Sequence, residues 1–410
     1  MILALRGGLS SRTMFELKRF NERSMKTRSR KRQKRKPRAP FRPKKHGVAG
    51  QHTLAEIFSQ PANWRETSER LERQGMLGKL AGTFSARKPW LFVACGSSYY
   101  LSQLVADVWQ GMLGVPCTGI PASEFLFARE ETLQRSGAQQ AVLVSRSGET
   151  TEVLRVAEIL RADPAILTMG VTCSANSTLE KLCLHTLKLT WADEKSAVMT
   201  RSFTSMLLAF EKLGATLAGR TEWAAALDGL PEKVQPWLNA NAAKIQTFGA
   251  KRRFADLVFL GQGAHYWLAQ EAALKVTEMS SSYAQAYHTL EFRHGPRAIA
   301  SRDTLITFFI SDAAEAEETV LVSELKELGA ATLVIVNHAT PALARSSDLL
   351  VELGLDKPEF ARLAPAAIPA QLLGASLGLR KGLNPDAPKN LDRVVTLADD
   401  GGRPLHGRGA

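Results

Sequence analysis

Glu271-Ala272-Ala273-Leu274-Lys275-Val276-Thr277-Glu278 holds three ionisable residues spaced i, i+4 and i+7. In a helix Glu271, Lys275 and Glu278 would share one face. Such a stripe is either a solvated, salt-bridged surface or a site, and periodicity alone favours the surface. The next motif shifts the balance. His288-Thr289-Leu290-Glu291-Phe292-Arg293-His294-Gly295-Pro296 is a polar loop punctuated by Gly-Pro, and its His294 follows Glu278 by sixteen residues. Imidazole titrates near neutral pH, so a histidine in a loop after a Glu/Lys helix is a candidate for acid–base work.

A second group of residues is suited to binding. Cys95-Gly96-Ser97-Ser98 follows the apolar run Leu91-Phe92-Val93-Ala94, and Ser145-Arg146-Ser147-Gly148-Glu149-Thr150-Thr151 follows Ala141-Val142-Leu143-Val144. Each reads as strand, Gly/Ser turn, helix. A helix N-terminus leaves backbone N–H groups unpaired and carries partial positive charge, so an anion is well placed there. Ser and Thr hydroxyls add donors, and glycine lets the backbone approach closely. One such turn is often a plain helix cap. Two in one α/β unit lie on the same edge of a parallel sheet, where such folds bind ligands, and phosphate is the guest they suit.

The elements that must carry these residues come in two matching sets. After a helical lead-in over residues 51–88, short apolar runs at 90–94, 115–120, 141–145, 166–172 and 185–190 alternate with helical segments. That alternation predicts a doubly wound α/β unit with a parallel sheet. A polar helical segment over 222–246 connects to a second unit. There Val258-Phe259-Leu260-Gly261-Gln262-Gly263-Ala264 mirrors the first turn, 305–310 mirrors 141–145, and 332–337 mirrors 166–172. The spacing is about 165 residues, an internal repeat. The copies are chemically unequal, since Ser311-Asp312-Ala313 stands where Ser145-Arg146-Ser147 stood, and a carboxylate there repels phosphate. The expected organisation is a basic tail (1–50), a helical lead-in (51–88), a first subdomain that binds the anion (89–220), a connecting helix (221–250), a second subdomain that completes the fold (251–385) and a C-terminal tail (386–410).

Charge is unevenly spread. Residues 1–50 hold 17 Lys/Arg and 2 Glu, whereas the remainder holds 36 Lys/Arg and 38 Asp/Glu, so the formal +13 resides in the tail. The composition of the tail predicts disorder and would allow non-specific nucleic-acid contact. No uninterrupted apolar run reaches the length of about 18 residues that spans a bilayer, so no membrane association is expected. Cys95, Cys117, Cys173 and Cys183 lack metal-site spacing and fit a reducing, cytoplasmic compartment. No metal or cofactor is expected.

The pair of turns CGSS and SRSGETTE resembles the sugar isomerase (SIS) domain family, a phosphosugar-binding module, and the resemblance runs from about Gln51 to Leu397. It is nearest in pattern to the isomerase half of glucosamine-6-phosphate synthase, to AgaS-like isomerases and to SIS-type amino-sugar-phosphate deaminases. It implies two tandem flavodoxin-like subdomains. It also implies that Glu278 is the base moving the proton between C1 and C2, with Lys275 beside it, and that His294 opens the sugar ring. In relatives that histidine reaches into the neighbouring subunit's site, which implies a homodimer. Cys95, Gly96, Ser97, Ser98, Ser145, Arg146, Ser147, Thr150, Ala197 and Arg393 fall on substrate-binding positions.

Three features set the chain apart from the synthase. Arg146 stands where the synthase has Gln. Arg393 stands where it has a lysine able to form an imine, and a guanidinium stays protonated; Lys389 is near but out of register. Met199 stands where it has a serine near the sugar. The chain starts Met1-Ile2-Leu3 with about 50 residues before the resembling region, so a glutaminase domain is not expected and isomerisation or deamination of a hexose or amino-sugar 6-phosphate is favoured over synthesis. The competing reading is a non-catalytic sugar-phosphate sensor. Against it stand the paired halves, a basic tail without helix-turn-helix periodicity, and the retained Glu278 and His294.

Overall fold

The computed structural model describes residues 48–397; the expectations for the basic tail before residue 48 and for the last residues of the C-terminal tail lie outside them. The chain opens with α1 (Gln51–Phe58), α2 (Gln60–Arg73) and α3 (Met76–Thr83). The first α/β unit follows as β1 (Trp90–Ala94), α4 (Ser97–Leu113), β2 (Cys117–Pro121), α5 (Ala122–Phe127), α6 (Arg129–Ser136), β3 (Gln140–Val144), α7 (Thr151–Arg161), β4 (Leu167–Thr172), α8 (Thr178–Leu182) and β5 (His185–Lys188). Then α9 (Arg201–Leu217), α10 (Thr221–Leu227) and α11 (Leu230–Lys251) lead to the second unit. It comprises β6 (Asp256–Gly261), α12 (Ala264–Ser280), β7 (Ala284–His288), β8 (Thr304–Phe309), α13 (Glu315–Glu327), β9 (Ala331–Val336), α14 (Pro341–Ser346), β10 (Leu349–Glu352) and α15 (Glu359–Arg380).

Both sheets are five-stranded and all the recorded pairings are parallel. The first has the order β2-β1-β3-β4-β5, and the second, read from its other edge, is β7-β6-β8-β9-β10. Both are the flavodoxin-like order, with the switch point between the first and third strands of the unit. The two-unit α/β architecture expected from the alternating apolar runs is therefore the architecture present.

Alternation along each strand divides the core. Trp90, Phe92 and Ala94 point to the interior shared by the two sheets, while Leu91 and Val93 point outward beneath α5 and α7. In the second sheet Leu257 and Phe259 join the shared core, and Val258 and Leu260 pack in a separate outer one. Trp109 of α4 meets Trp90 edge-on at 4.9 Å and Phe92 at 5.4 Å, a geometry that suits aromatic quadrupoles. Strands buried on both faces read as continuous apolar runs, which is why the six inner strands, β1, β3, β4, β6, β8 and β9, were visible as such. Of the four edge strands, β2 and β5 were also read, whereas the part-buried β7 and β10 were not. The segment read as one connecting helix divides at Asp228-Gly229, where Gly229 adopts φ +74° before α11.

Candidate active site

The first half presents two adjoining turns at the C-terminal edge of its sheet. Gly96 adopts φ +57° and ψ −134°, a conformation L side chains rarely adopt, and it releases the chain from β1 directly into α4. Ser97 and Ser98 form the first turn of that helix and are buried. The second turn depends on Gly148, at φ +67°. A Cβ there would stand 2.4 Å from Ser177 Cβ, so the turn closes only with glycine.

Hydroxyls converge in this second turn. Ser145 Oγ lies 3.3 Å from Ser147 Oγ and 3.0 Å from Thr150 Oγ1, and accepts from the Gly148 N–H at 3.1 Å. The one carboxylate in the motif is turned aside: Glu149 accepts from the Thr178 N–H at 2.7 Å and its hydroxyl at 2.8 Å, capping α8. What remains is an uncharged cluster of donors at the N-terminus of α7, suited to a phosphate. Cys95 is no nucleophile here. Burial, with Glu152 adding, pushes its thiol up to about 11, and a thiol reacts as its thiolate.

Arg146 is buried, and its guanidinium is committed to the structure around the site. It donates to the Val198 carbonyl at 3.4 Å and the Arg393 carbonyl at 3.1 Å, and lies 3.5 Å from the Glu194 carboxylate. Arg393 pairs through its own guanidinium with Asp193. The C-terminal segment thus lies against the second turn. The Val395 carbonyl accepts from the Thr151 N–H at 3.3 Å, and the Leu397 N–H donates to Thr151 Oγ1 at 3.0 Å.

Between these parts runs the loop at 193–200, held by the carboxylates of Glu194 and Glu56 and by the backbone carbonyl of Asp386, residues that motif and spacing did not single out. Glu194 accepts from the N–H and hydroxyl of Thr200, at 2.6 and 2.7 Å, and from the Ser202 N–H at 3.3 Å. Glu56, buried on α1, accepts from the Lys195 N–H at 2.5 Å and from Ser196. Burial raises its pKa, and Glu194 adds to the rise. Asp386 accepts from the N–H and hydroxyl of Thr53, at 2.7 and 2.8 Å, while its carbonyl takes the Ala197 N–H at 3.0 Å. Ala197 is fixed in this way, and Met199 reaches Ser98 Oγ through its sulfur at 3.8 Å. The sequence signal for Glu56 was only a carboxylate on the apolar face of α1; its partners lie about 140 residues away.

The Glu-Lys-Glu stripe is not a solvated surface. Lys275 is 1% exposed and Glu271 2%, while Glu278 is the more open end at 15%. Lys275 Nζ donates to Glu278 and lies 3.5 Å from Glu271. Burial, partly offset by Lys275 and reinforced by Glu278, pushes Glu271 up to about 8. Burial alone would lower Lys275, yet Glu271 and Glu278 overcome it and the net shift is upward. At neutral pH the buried unit is therefore an ammonium beside two carboxyl groups, of which Glu271 is held largely neutral.

The stripe faces the first turn, because α12 packs on α4. Burial raises the Tyr100 hydroxyl, and Glu271 and Glu278 both add to it; Arg146 in turn acts on Lys275. The turn residues, Arg146 and the stripe therefore share one region. His294 does not join it within the chain. It is exposed after the short 3₁₀ turn Leu290–Arg293, which is anchored by the fully buried Phe292 and by Arg293 with Glu324 at 3.2 Å. Its recorded bond is from its own N–H to the Glu291 carbonyl, at 2.9 Å.

The chain is similar to known proteins over most of its length. A glutamine–fructose-6-phosphate aminotransferase [isomerizing] of Methanothermobacter thermautotrophicus is 27% identical over 349 residues, covering 84% of this chain and 57% of its own. The chain thus spans little more than half the length of that relative. The crystal structure of glucosamine-6-phosphate deaminase from Thermotoga maritima superposes with a TM-score of 0.69 at 28% identity, covering 84% of this chain and 100% of the other. The fold is shared with tagatose-6-phosphate ketose/aldose isomerase from Escherichia coli, at a TM-score of 0.72, 18% identity, and coverage of 83% and 96%. The SIS domain profile matches residues 84–215 and again 253–373, the two α/β units. The chain belongs to the SIS domain family and carries the domain twice.

Proposed function

We propose that the chain is a phosphosugar enzyme, an aldose–ketose isomerase or amino-sugar-phosphate deaminase acting on a hexose or amino-sugar 6-phosphate. The phosphate binds the hydroxyls of Ser145, Ser147 and Thr150 and the helix N-terminus at Gly96, Ser97 and Ser98. Glu278 moves the proton between C1 and C2. Lys275 holds that carboxylate in place, and Glu271, held largely neutral, sets the charge of the unit. His294 opens the ring from a second copy of the chain, a reading supported by its exposure and by the absence, among the described residues, of a recorded side-chain bond to its own stripe. The loop at Ala197 and the Arg393 segment wall the sugar.

The observation that carries this reading is Lys275, fully buried between two carboxylates on a helix packed against the anion-suited turn. Burying three ionisable groups is costly, and ionisable groups with shifted titration concentrate at functional sites. The test is a coupled assay over hexose and hexosamine 6-phosphates that follows both ketose formation and ammonia release. Turnover of at least one, lost in Glu278→Gln, is expected. Absence of turnover and of proton exchange across the panel would overturn the proposal in favour of a sensor.

A further inference from the structure

The second unit repeats the framework of the first but not its chemistry. Gly263 precedes α12 at φ +55° and ψ −132°, the conformation of Gly96 before α4. Trp267, near the start of α12, donates to Asp107 of α4 at 2.8 Å, whereas Glu271 and Glu278, further along α12, act on Tyr100 near the start of α4. The two helices therefore run antiparallel, and the N-terminus of each faces the later half of the other. At one end this juxtaposition forms the candidate active site. At the other it opens a cavity of about 570 Å³, within the range of small-molecule sites.

The second unit's counterpart of the phosphate turn adjoins this cavity through the Asp312 N–H, which donates to Glu359 at 2.8 Å, and it is built against phosphate. Ser311 stands where Ser145 stands in the first unit, but its N–H and hydroxyl donate to the Glu318 carboxylate, at 2.8 and 3.2 Å. The neighbouring Asp312 is paired with Arg362, at 3.0 Å for one of two contacts. The chain's own carboxylate thus fills the anion position. Among the described residues, the twelve lining the cavity include the carboxylates of Asp107 and Glu359 and no Lys, Arg or His; His265, 3.6 Å from Glu359, lies outside the lining, and burial lowers its pKa. The N-termini of α12 and α15 bring roughly half a positive charge each, short of the two formal negative charges. Its apolar wall is formed by Met112, Trp223 and Phe360, the two rings meeting edge-on at 6.2 Å. Arg220 already lies 4.5 Å from the Trp223 ring centroid, so one face of that indole hosts a cation.

We infer that this cavity is a second binding site, specific for a small organic cation: an ammonium group on an apolar body. The ammonium pairs with Asp107 and Glu359, and the body packs on Trp223 and Phe360. Carboxylates beside an aromatic wall recognise both parts at once. The inference does not depend on which sugar phosphate the other site takes, or on whether it turns one over.

Three probes of one shape test it by calorimetric titration of the full chain: phenethylammonium, 2-phenylethanol and 3-phenylpropionate. The ammonium is expected to bind at least tenfold more tightly than the alcohol, and the anion more weakly than either. Glu359→Gln keeps an acceptor for the Asp312 N–H but removes the charge, and should bring the amine-to-alcohol ratio close to one. Gly111→Leu should abolish binding of all three, because a Cβ at Gly111 meets nothing within 4 Å and the side chain grows into the cavity; an unchanged unfolding temperature shows that this variant folds. Equal affinity for the three probes, no binding of the ammonium, or undiminished binding in a folded Gly111→Leu would overturn the inference. Should Gly111→Leu fail to fold, an unaltered amine-to-alcohol ratio in Glu359→Gln would overturn it.

Discussion

Glu278→Gln separates the chemistry of the stripe from its stability. The amide keeps the shape and an acceptor for Lys275 but cannot take a proton. Loss of a general base costs roughly 10²–10⁴ in kcat, about 2.7–5.5 kcal/mol of barrier, while KM should stay within about threefold because the phosphate is anchored elsewhere. Stripping one partner from a buried ion pair ordinarily costs about 3–5 kcal/mol. Here Glu271 lies 3.5 Å from the same ammonium, and its carboxyl is held up to about 8 partly by Glu278. Once Glu278 is neutral, Glu271 ionises more readily and takes over as counter-ion, so the single variant should lose only about 1–2 kcal/mol. Adding Glu271→Gln strands Lys275 without a counter-ion, and the further loss should reach about 3–5 kcal/mol. Denaturant unfolding of both variants measures the stabilities. Incorporation of solvent deuterium at C1 or C2 measures the proton transfer, present in wild type and absent in Glu278→Gln. Wild-type turnover and exchange in Glu278→Gln would refute the mechanism. A double variant no less stable than the single would refute the counter-ion argument.

Ser147→Ala with Thr150→Ala should raise KM, each lost charge-assisted bond costing about 1.5–3 kcal/mol of binding; unchanged affinity for the phosphorylated sugar would move the anchor elsewhere. Mixing Glu278→Gln with His294→Asn should restore up to about a quarter of wild-type activity, since half the random dimers are hybrids and each holds one intact site; no recovery in confirmed hybrids would place His294 outside the partner's site. Glu211 is fully buried on α9 with neither carboxylate oxygen partnered, and burial raises its pKa well above the usual value. Its folded pKa exceeds its unfolded one, so its contribution to stability is full below the unfolded pKa near 4.5 and is lost as pH rises towards the folded value. Glu211→Met should therefore gain over wild type as pH rises above 4.5, by up to about 1.4 kcal/mol per pH unit, read from unfolding curves at pH 5 and 8; parallel pH profiles would show that Glu211 has a partner.

The turns and the apolar strands were legible because their signals are local. Each inner strand buries both faces and so reads as an unbroken apolar run, and each turn of the first unit advertises itself by Gly and Ser beside it. The stripe was legible as spacing but not as burial: the same i, i+4, i+7 pattern serves a wet surface, and only the packing of α4 and α15 on α12 excludes water from Lys275. Ala284-Gln285-Ala286-Tyr287-His288 gave no strand signal because β7 is an edge strand, half-covered and polar. Glu56, Glu194 and Asp386 act on a loop that carries no chemistry of its own. What they do depends on contacts between α1, the loop and the C-terminal segment, and no window of sequence contains all three. The roles of Ser145 and Arg146 differ for a similar reason, since the direction a side chain takes from a turn depends on what surrounds it.

The C-terminal segment has a consequence for how the protein is made. Asp386 secures α1 and the loop at Ala197, the Arg393 carbonyl receives Arg146, and the Val395 carbonyl receives the Thr151 N–H. A nascent chain on the ribosome gains both turns of the first unit more than 200 residues before the segment from Asp386 to Val395 that braces the second of them. The site is therefore completed only after both units have been synthesised, and a polypeptide cut short before Asp386 would carry both turns, Lys275, Glu278 and His294 in an unbraced pocket that lacks the Arg393 segment.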